Sequence, residues 1–281
     1  MKRVVVYAIA MMALGAAPAA AQSRPLVTED PETLSGGQMA VSAGVDYQHQ
    51  VFYPASGLQG NLWRMGTFGL DFGVSPIAEI QLSGGVQDRL AITSRQTAPL
   101  SYMLTVTGAT THDFEDGVIG AKVRLAAETA SRPAFAIRFA TRLPNAGNES
   151  GLGLDTTDFT FALLAGKTVR SVRVVGNVGF GILGDPVRGD SQNDVLLYGV
   201  SVARAIRQGL EVVAEINGRL NTRANTPPVG TESRSMARIG GRATKGSVRF
   251  DVALLLGATE RDPSWGFSTG LTWVFSAFKI P

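Results

Sequence analysis

Apolar residues alternate with polar ones through most of the chain, and this period of two limits the available folds more than any other feature. In the segment Met39–Tyr47, odd positions carry Met, Val, Ala, Val and Tyr, whereas even positions carry Ala, Ser, Gly and Asp. Because successive side chains of a β-strand point to opposite faces, this segment predicts a strand with one apolar face. About twelve such segments follow one another, which predicts an all-β chain.

The joints between these segments alternate in length. Alternation of side chains alone also fits a soluble β-sandwich, so the joints decide between the two folds. Short joints lie at residues 75–76, 129–132, 167, 206–208 and 245–246, and long ones at 54–60, 94–116, 144–154, 184–193 and 221–232. Outer-membrane barrels combine short periplasmic turns with longer external loops. Together with segments of uniform length, the joints predict a transmembrane antiparallel up-and-down β-barrel of about 12 strands.

Both ends of the chain carry export signals. Lys2 and Arg3 precede an apolar stretch at 4–15, and Ala19–Ala21 supplies the small residues of a cleavage site, which predicts a cleaved signal peptide. The last segment ends in Gly270–Phe275, which resembles the terminal signal of proteins that the outer-membrane assembly machinery inserts. We therefore expect localisation in the outer membrane. The predicted divisions are a signal peptide (1–21), an N-terminal periplasmic lead (22–36), the barrel (37–275) and a C-terminal tail (276–281).

Charge and cysteine content exclude several classes of function. The chain has 26 Lys and Arg against 23 Asp and Glu, and loss of Lys2 and Arg3 with the signal peptide leaves 24 against 23. The mature chain is therefore almost neutral, and nucleic acid is not an expected partner. Cysteine is absent, which excludes thiol catalysis, zinc–thiolate sites and disulfides. After the signal peptide no apolar run approaches the roughly 20 residues of a membrane helix, so a membrane-spanning form must be a closed barrel.

Four short segments of the mature chain carry a resemblance to a known family. They are Arg24–Pro31, Gly117–Leu125, Arg132–Phe139 and Arg142–Asn145. Together they resemble the outer-membrane barrels grouped under the name "MetA-pathway of phenol degradation", although Pro144–Gly147 departs from the Pro-Thr-Gly that the family often shows. The resemblance implies an outer-membrane porin-like transporter, in some members linked to uptake of aromatic compounds. It implies no catalytic or binding residues.

Charged residues of the polar face are the candidate functional residues. Lys122, Arg124, Arg138 and Arg142 form a basic strip on two neighbouring segments with few acidic residues of the same facing. Charged side chains on the face opposite the apolar one are expected to point into the lumen. An uncompensated basic strip there predicts mild anion selectivity, whereas the alternative is that the charges pair and plug the lumen.

A second group of charges lies on the later segments. Glu211 and Glu215 are expected to pair with arginines of the next segment, mainly Arg234 and Arg238. The full predicted pore-lining set is Lys122, Arg124, Arg138, Arg142, Glu211, Glu215, Arg234, Arg238 and Arg242.

The remaining chemistry-bearing residues predict neither an enzyme nor a cofactor or metal site. His49 and His112 have no close His or Cys partner, and the acidic stretch at 112–116 is more simply a solvated loop than a cation site. A lipid hydrolase would need a serine beside a histidine, and nothing brings Ser94 or Ser101 to His49.

The sequence therefore predicts an outer-membrane channel or transporter for small solutes, anionic or aromatic, since about twelve strands enclose a narrower lumen than wide porins do. Its expected partners are outer-membrane lipids, lipopolysaccharide, the assembly machinery and the solutes themselves. The alternatives are a non-conducting structural or adhesive barrel and, less favoured, a lipid hydrolase.

Overall fold

The computed structural model describes residues 24–278, and the predicted signal peptide lies outside them. The described chain is almost entirely β-structure, with twelve antiparallel strands in a closed barrel and one additional strand. The strands are β1 (Gln38–Tyr53), β2 (Leu58–Ser75), β3 (Ala78–Arg95), β4 (Thr110–Asp113), β5 (Val118–Ala126), β6 (Ala134–Arg142), β7 (Asp158–Val169), β8 (Val172–Gly184), β9 (Gln192–Arg207), β10 (Leu210–Asn221), β11 (Arg234–Lys245), β12 (Val248–Gly257) and β13 (Trp265–Ser276).

The barrel closes where its first and last strands meet. Strand β1 pairs antiparallel with β13, from Gln38 opposite Ser276 to His49 opposite Trp265. Successive strands pair as neighbours around the wall, except that β3 pairs with β5 at one end and with the short β4 at the other. Strand β4 therefore lies outside the ring of twelve. The predicted up-and-down barrel is confirmed.

Connections of different length separate the two ends of the barrel, which we call the turn end and the loop end. The turn end has the connections 76–77, 127–133, 170–171, 208–209 and 246–247, and the loop end has 54–57, 96–117, 143–157, 185–191, 222–233 and 258–264. One predicted long connection is wrong, because residues 54–57 form a tight turn and Leu58 already begins β2.

The expectation of uniform strand length is also wrong. Strands β2 and β3 have 18 residues each, whereas β5 and β6 have 9. The long strands continue past the ring at the loop end, where Leu58, Leu62 and Leu90 are buried together with Val51. Burial of this apolar cluster stabilises the extended part of β1–β3, which local alternation could not reveal.

Loops fold over this cluster at the loop end. Leu104 and Leu152, from the connections 96–117 and 143–157, pack against it. The two connections are also hydrogen-bonded to each other, since the N–H of Thr105 donates to the carbonyl oxygen of Glu149 at 3.1 Å. The longest connection therefore caps one side of the barrel mouth.

Side chains face as the alternation predicted. Phe139 and Phe180 are each 50% exposed on the outer wall, whereas Lys122, Glu79 and Asp251 are buried inside. Charged groups inside a closed wall and bare aromatic groups outside it are the reverse of a soluble protein.

Aromatic residues form two belts on the outer wall. Near the loop end, Tyr47 lies 5.0 Å from Trp63 and 5.4 Å from Trp265 between ring centroids. Near the turn end, Trp273 stacks on Phe275 at 4.3 Å. The strand rise and tilt of a barrel put Trp265 and Phe275 of β13 roughly 26 Å apart along the barrel axis, the height of the apolar band of a membrane barrel. No helix among residues 24–278 is long and apolar enough to cross a membrane.

Candidate functional site

Residues 24–36, which we call the inner segment, lie inside the barrel. The backbone N–H groups of Val27 and Thr28 donate to the carboxylate of Glu215 on β10 at 2.8–3.0 Å. Asn177 of β8 accepts from the N–H of Glu29 at 2.7 Å and donates to its carbonyl oxygen at 2.8 Å. These contacts with inward-facing side chains place in the lumen a segment that the sequence analysis expected to be a periplasmic lead.

Glu29 joins the inner segment to the predicted basic strip. Its carboxylate lies 3.3 Å from Nζ of Lys122 and 3.7 Å from Nε of Arg138. The same ammonium group lies 2.9 Å from the carboxylate of Glu79 on β3. Lys122 and Glu79 are fully buried side chains, so the two charges compensate each other and Glu29 adds a second negative charge.

Two further acidic residues of the inner segment bind arginines of the wall. Asp30 accepts from Nη2 of Arg173 at 2.6 Å, and Glu32 accepts from Nη1 of Arg124 at 2.6 Å. Both pairs are close charge-assisted hydrogen bonds. The segment therefore follows the inner wall of the barrel from β5 to β8 and is held there by its acidic side chains.

Arg24 anchors the first described part of the inner segment on the opposite wall. Its guanidinium lies 3.8 Å from Asp46 of β1 and 3.7 Å from Asp251 of β12. It occupies the space that a side chain at Gly44 would need, so the absence of a Cβ at this inward position makes room for it. Gly166 of β7 has the same role, because a Cβ there would lie 2.9 Å from Cγ of Pro31.

The expectation that the basic strip is uncompensated is wrong. Lys122, Arg124 and Arg138 have carboxylate partners in the inner segment, and Arg142 binds Asp116 and Asp158. Glu29 and Glu32 of the inner segment and Asp116 of the connection 96–117 lie outside any strand, so facing along the strands carries no information about them. Glu79 and Asp158, in contrast, lie directly opposite Lys122 and Arg142 on neighbouring strands, so strand pairing could have revealed these two partners.

Two of the three arginines of β11 form the predicted ion pairs with glutamates of β10. Glu215 lies 2.8 Å from Arg238, and Glu211 lies 3.9 Å from Arg242. Arg234, in contrast, lies opposite Arg219 in the register of the two strands. The expected pairing of Arg234 with a glutamate is therefore wrong.

The lumen above the inner segment, toward the loop end, has walls of unlike charge. On β1–β3 the guanidinium of Arg64 is surrounded by acidic groups, at 3.5 Å from Asp46 and 3.8 Å from Asp88, and it also contacts Glu115. On β10 and β11 the predominant charges are arginines. A dissolved ion or polar molecule that enters the lumen here therefore experiences an electric field directed from the arginines of one wall to the acidic groups of the other.

Two concavities accompany this arrangement. A cavity of about 330 Å³ lies in the lumen beside β10 and β11, between the inner segment and the loop end. A larger one of about 780 Å³ lies on the outer wall among apolar residues such as Ile80, Phe139 and Phe161, around the small side chain of Ala121. Only the smaller concavity is on the route through the barrel.

All nine predicted site residues face the barrel interior, and whether they line a conducting pore stays a prediction. Sequence reasoning missed Arg64 and Arg219, although both lie on polar faces and their strand parity could have found them. It also missed Glu29, Asp30 and Glu32, for which no periodic signal exists because they lie outside any strand.

Within the described residues, the candidate catalytic side chains and the acidic stretch make contacts that are not those of a serine–histidine pair. The hydroxyl of Tyr47 lies 3.4 Å from Nδ1 of His49, whereas Ser94 donates to Gln59 and Ser101 donates to a backbone carbonyl oxygen. Asp113 and Asp116 accept from backbone N–H groups of residues 145–147 and so fasten two loops together. Within residues 24–278 no group of three or more His, Cys, Asp and Glu side chains is arranged to hold a metal ion.

Solved structures share this architecture. The COG4313 outer membrane channel from Pseudomonas putida F1 superposes with a TM-score of 0.62 and 13% identity, over 88% of this chain and 98% of that chain. The chain has the fold of an outer-membrane β-barrel. The NanC porin matches with a TM-score of 0.51 and 7% identity, over 84% of this chain and 98% of its own. The translocator domain of the autotransporter NalP from Neisseria meningitidis matches with 0.50 and 12%, over 86% and 90%.

Comparison with protein-family models and with curated proteins gives no match. Identities of 7–13% between the solved structures and this chain establish a common fold, and function has to be argued from the lumen itself.

Proposed function

We propose that this protein is an outer-membrane channel for small solutes. The observation that carries the proposal is a closed barrel with an apolar outer wall between two aromatic belts and a charged, partly open lumen. Such a wall suits the apolar interior of a bilayer and not water, and the charged interior of the barrel offers polar solutes a route across the bilayer. In this orientation the turn end faces the periplasm and the loop end faces the outside, among lipopolysaccharide.

The small free volume of the lumen supports a small substrate. The inner segment occupies the half of the barrel nearer the turn end, and the cavity above it holds about 330 Å³. The charged residues of the wall support polar or anionic solutes. The resemblance to the phenol-degradation family adds aromatic compounds to the solutes that should be tested.

Conductance of single molecules in a planar lipid bilayer tests this proposal. We expect discrete current steps, small in comparison with those of a wide porin, in symmetric potassium chloride. A panel of inorganic anions, inorganic cations and aromatic acids under a salt gradient then gives the selectivity from the reversal potential. Folded protein that inserts into the bilayer without conducting would overturn the channel proposal.

The inner segment favours one second candidate, a non-conducting barrel that acts through its external loops. Its bonds to Glu215, Asn177 and Lys122 hold it across the lumen, and the loop cap covers part of the mouth. The same bilayer measurement separates the two functions.

A further inference from the structure

In the part of the chain that the structure describes, two arginines of the lumenal cavity beside β10 and β11 have no carboxylate counter-charge within salt-bridge distance, whereas neighbouring arginines of the wall do. Arg219 and Arg234 are paired residues in the β10–β11 register, as Glu215 and Arg238 are farther down the same two strands. Like charges directly opposite one another in a sheet are destabilising, whereas opposite charges stabilise it. Among the described residues neither Arg219 nor Arg234 lies within salt-bridge distance of a carboxylate, in contrast to Arg238 at 2.8 Å from Glu215.

Neutral groups hold both guanidinium groups in place. Arg219 donates to the carbonyl oxygens of Glu232 at 2.9 Å and Gly230 at 2.5 Å. Arg234 donates to the carbonyl oxygen of Phe52 on β1 at 3.2 Å, and its Nε is buried without a hydrogen-bond partner in the described chain. These bonds orient the arginines without neutralising them, so two positive charges remain at the cavity wall.

Asp262 lines this cavity and Glu232 lies close to Arg219, and each carboxylate also has other partners. The Asp262 carboxylate accepts the N–H of Ser235 at 2.9 Å and the hydroxyl of Thr259 at 2.6 Å. The Glu232 carboxylate lies 3.7 Å from Arg261. Even if the negative charge of Asp262 balances one of the two arginines, the cavity keeps a net positive charge.

We propose that Arg219 and Arg234 bind the carboxylate of a small solute on its way through the barrel. A guanidinium presents parallel N–H groups that match the two oxygens of a carboxylate, and a carboxylate between the two arginines would relieve their mutual repulsion. Leu197, Met236 and Pro263 on the cavity wall offer apolar surface to the rest of the solute. This inference rests on the proposed channel function and names the solute class as a small carboxylic acid with a compact apolar body.

Benzoate is the probe for this site, with benzyl alcohol as a neutral molecule of similar shape. Addition of sodium benzoate at the loop end should reduce the single-channel chloride current saturably, and benzyl alcohol at the same concentration should not. The double variant R219Q/R234Q should need about tenfold more benzoate or higher for the same block, because the charge-assisted hydrogen bonds are lost. The variant R219K/R234K keeps the charges without the forked geometry and should lie between the two.

The matched control is R188Q/R223Q, which removes two positive charges from exposed loop positions at the same end. Benzoate should block this variant at the same concentration as the unaltered protein. A higher blocking concentration in the control would mean that net charge alone sets the affinity for benzoate. Equal block in R219Q/R234Q and the unaltered protein would overturn the site while leaving the channel intact.

Calorimetric titration of benzoate into detergent-solubilised protein is the second measurement. Binding that R219Q/R234Q abolishes, in a protein that does not conduct, would overturn the channel and support the site.

Discussion

Lys122 shows how a single residue depends on contacts from distant parts of the chain. Its ammonium group is buried and lies 2.9 Å from Glu79, 3.3 Å from Glu29 and 2.9 Å from the carbonyl oxygen of Asp30. A buried ammonium group is stable only with such partners, because water is not available to solvate it. The buried carboxylate of Glu79 therefore needs the charge of Lys122 as much as Lys122 needs the charge of Glu79.

We expect Lys122→Met to destabilise the barrel by about 3–5 kcal/mol, because Glu79 would remain buried without its counter-charge. Equilibrium unfolding in urea, followed by tryptophan fluorescence in detergent, measures the change. The double variant E79Q/K122M removes both charges and should recover much of the loss. Equal stability of Lys122→Met and the unaltered protein would show that the pair does not matter.

The assignment of side chains to the outer or the inner wall gives a second prediction. Val252 is 47% exposed on the outer wall, and Val252→Arg should cost about 2–4 kcal/mol if its position is near the middle of the membrane. Arg238→Gln, on the inner wall, should be tolerated better, because a glutamine amide can still donate to Glu215 or Asn217 and the N–H groups of Val27 and Thr28 continue to donate to Glu215. The yield of folded protein after refolding into lipid vesicles compares them. Similar yields from both variants would mean that the assigned facing is wrong.

At the scale of elements, the inner segment behaves as a part separate from the wall. It contributes acidic side chains, wall arginines bind them, and inward glycines such as Gly44 leave it space. The strands pair with one another and do not need the segment for their backbone hydrogen bonds. A barrel without it is therefore expected to form.

Deletion of residues 24–34 should raise the single-channel conductance, because it clears the half of the lumen nearer the turn end. Deletion of residues 224–226, which are exposed in the connection 222–233, is the control and should leave the conductance nearly unchanged. Both are measured in planar bilayers after the folded state has been verified. A conductance unaffected by the first deletion would mean that the segment does not limit the current.

Closure is the property that belongs to the whole molecule. Pairing of β1 with β13 closes the ring of strands, so the backbone groups of the wall are hydrogen-bonded between neighbouring strands except at local irregularities. Unfolding then requires many hydrogen bonds to break together in a medium that cannot replace them. The folded barrel should resist detergent at room temperature.

We therefore expect the mature protein to fractionate with the outer membrane and to migrate differently on a detergent gel before and after boiling. A chain truncated before β13 (Trp265–Ser276) cannot close and should show one migration only. Recovery of the full chain from the soluble periplasm, with identical migration under both conditions, would argue against a membrane barrel.

The sequence by itself determined the wall of this protein. Strand alternation in segments such as Met39–Tyr47 predicted the barrel, its facing and its approximate strand number, because period two is a local property of each strand. The neighbouring pairs Glu215–Arg238 and Glu211–Arg242 were also accessible, since adjacent antiparallel strands bring them together.

Only the tertiary structure decided what fills the lumen. The inner segment has no periodic pattern, and Glu29 meets Lys122 across 93 positions of sequence. The exact register places Arg219, and not a glutamate, opposite Arg234, and a strand offset by two residues would have changed the partner without altering either face. Local patterns specify which side of a strand a residue faces, but the charge left over inside a closed barrel depends on every segment that enters it.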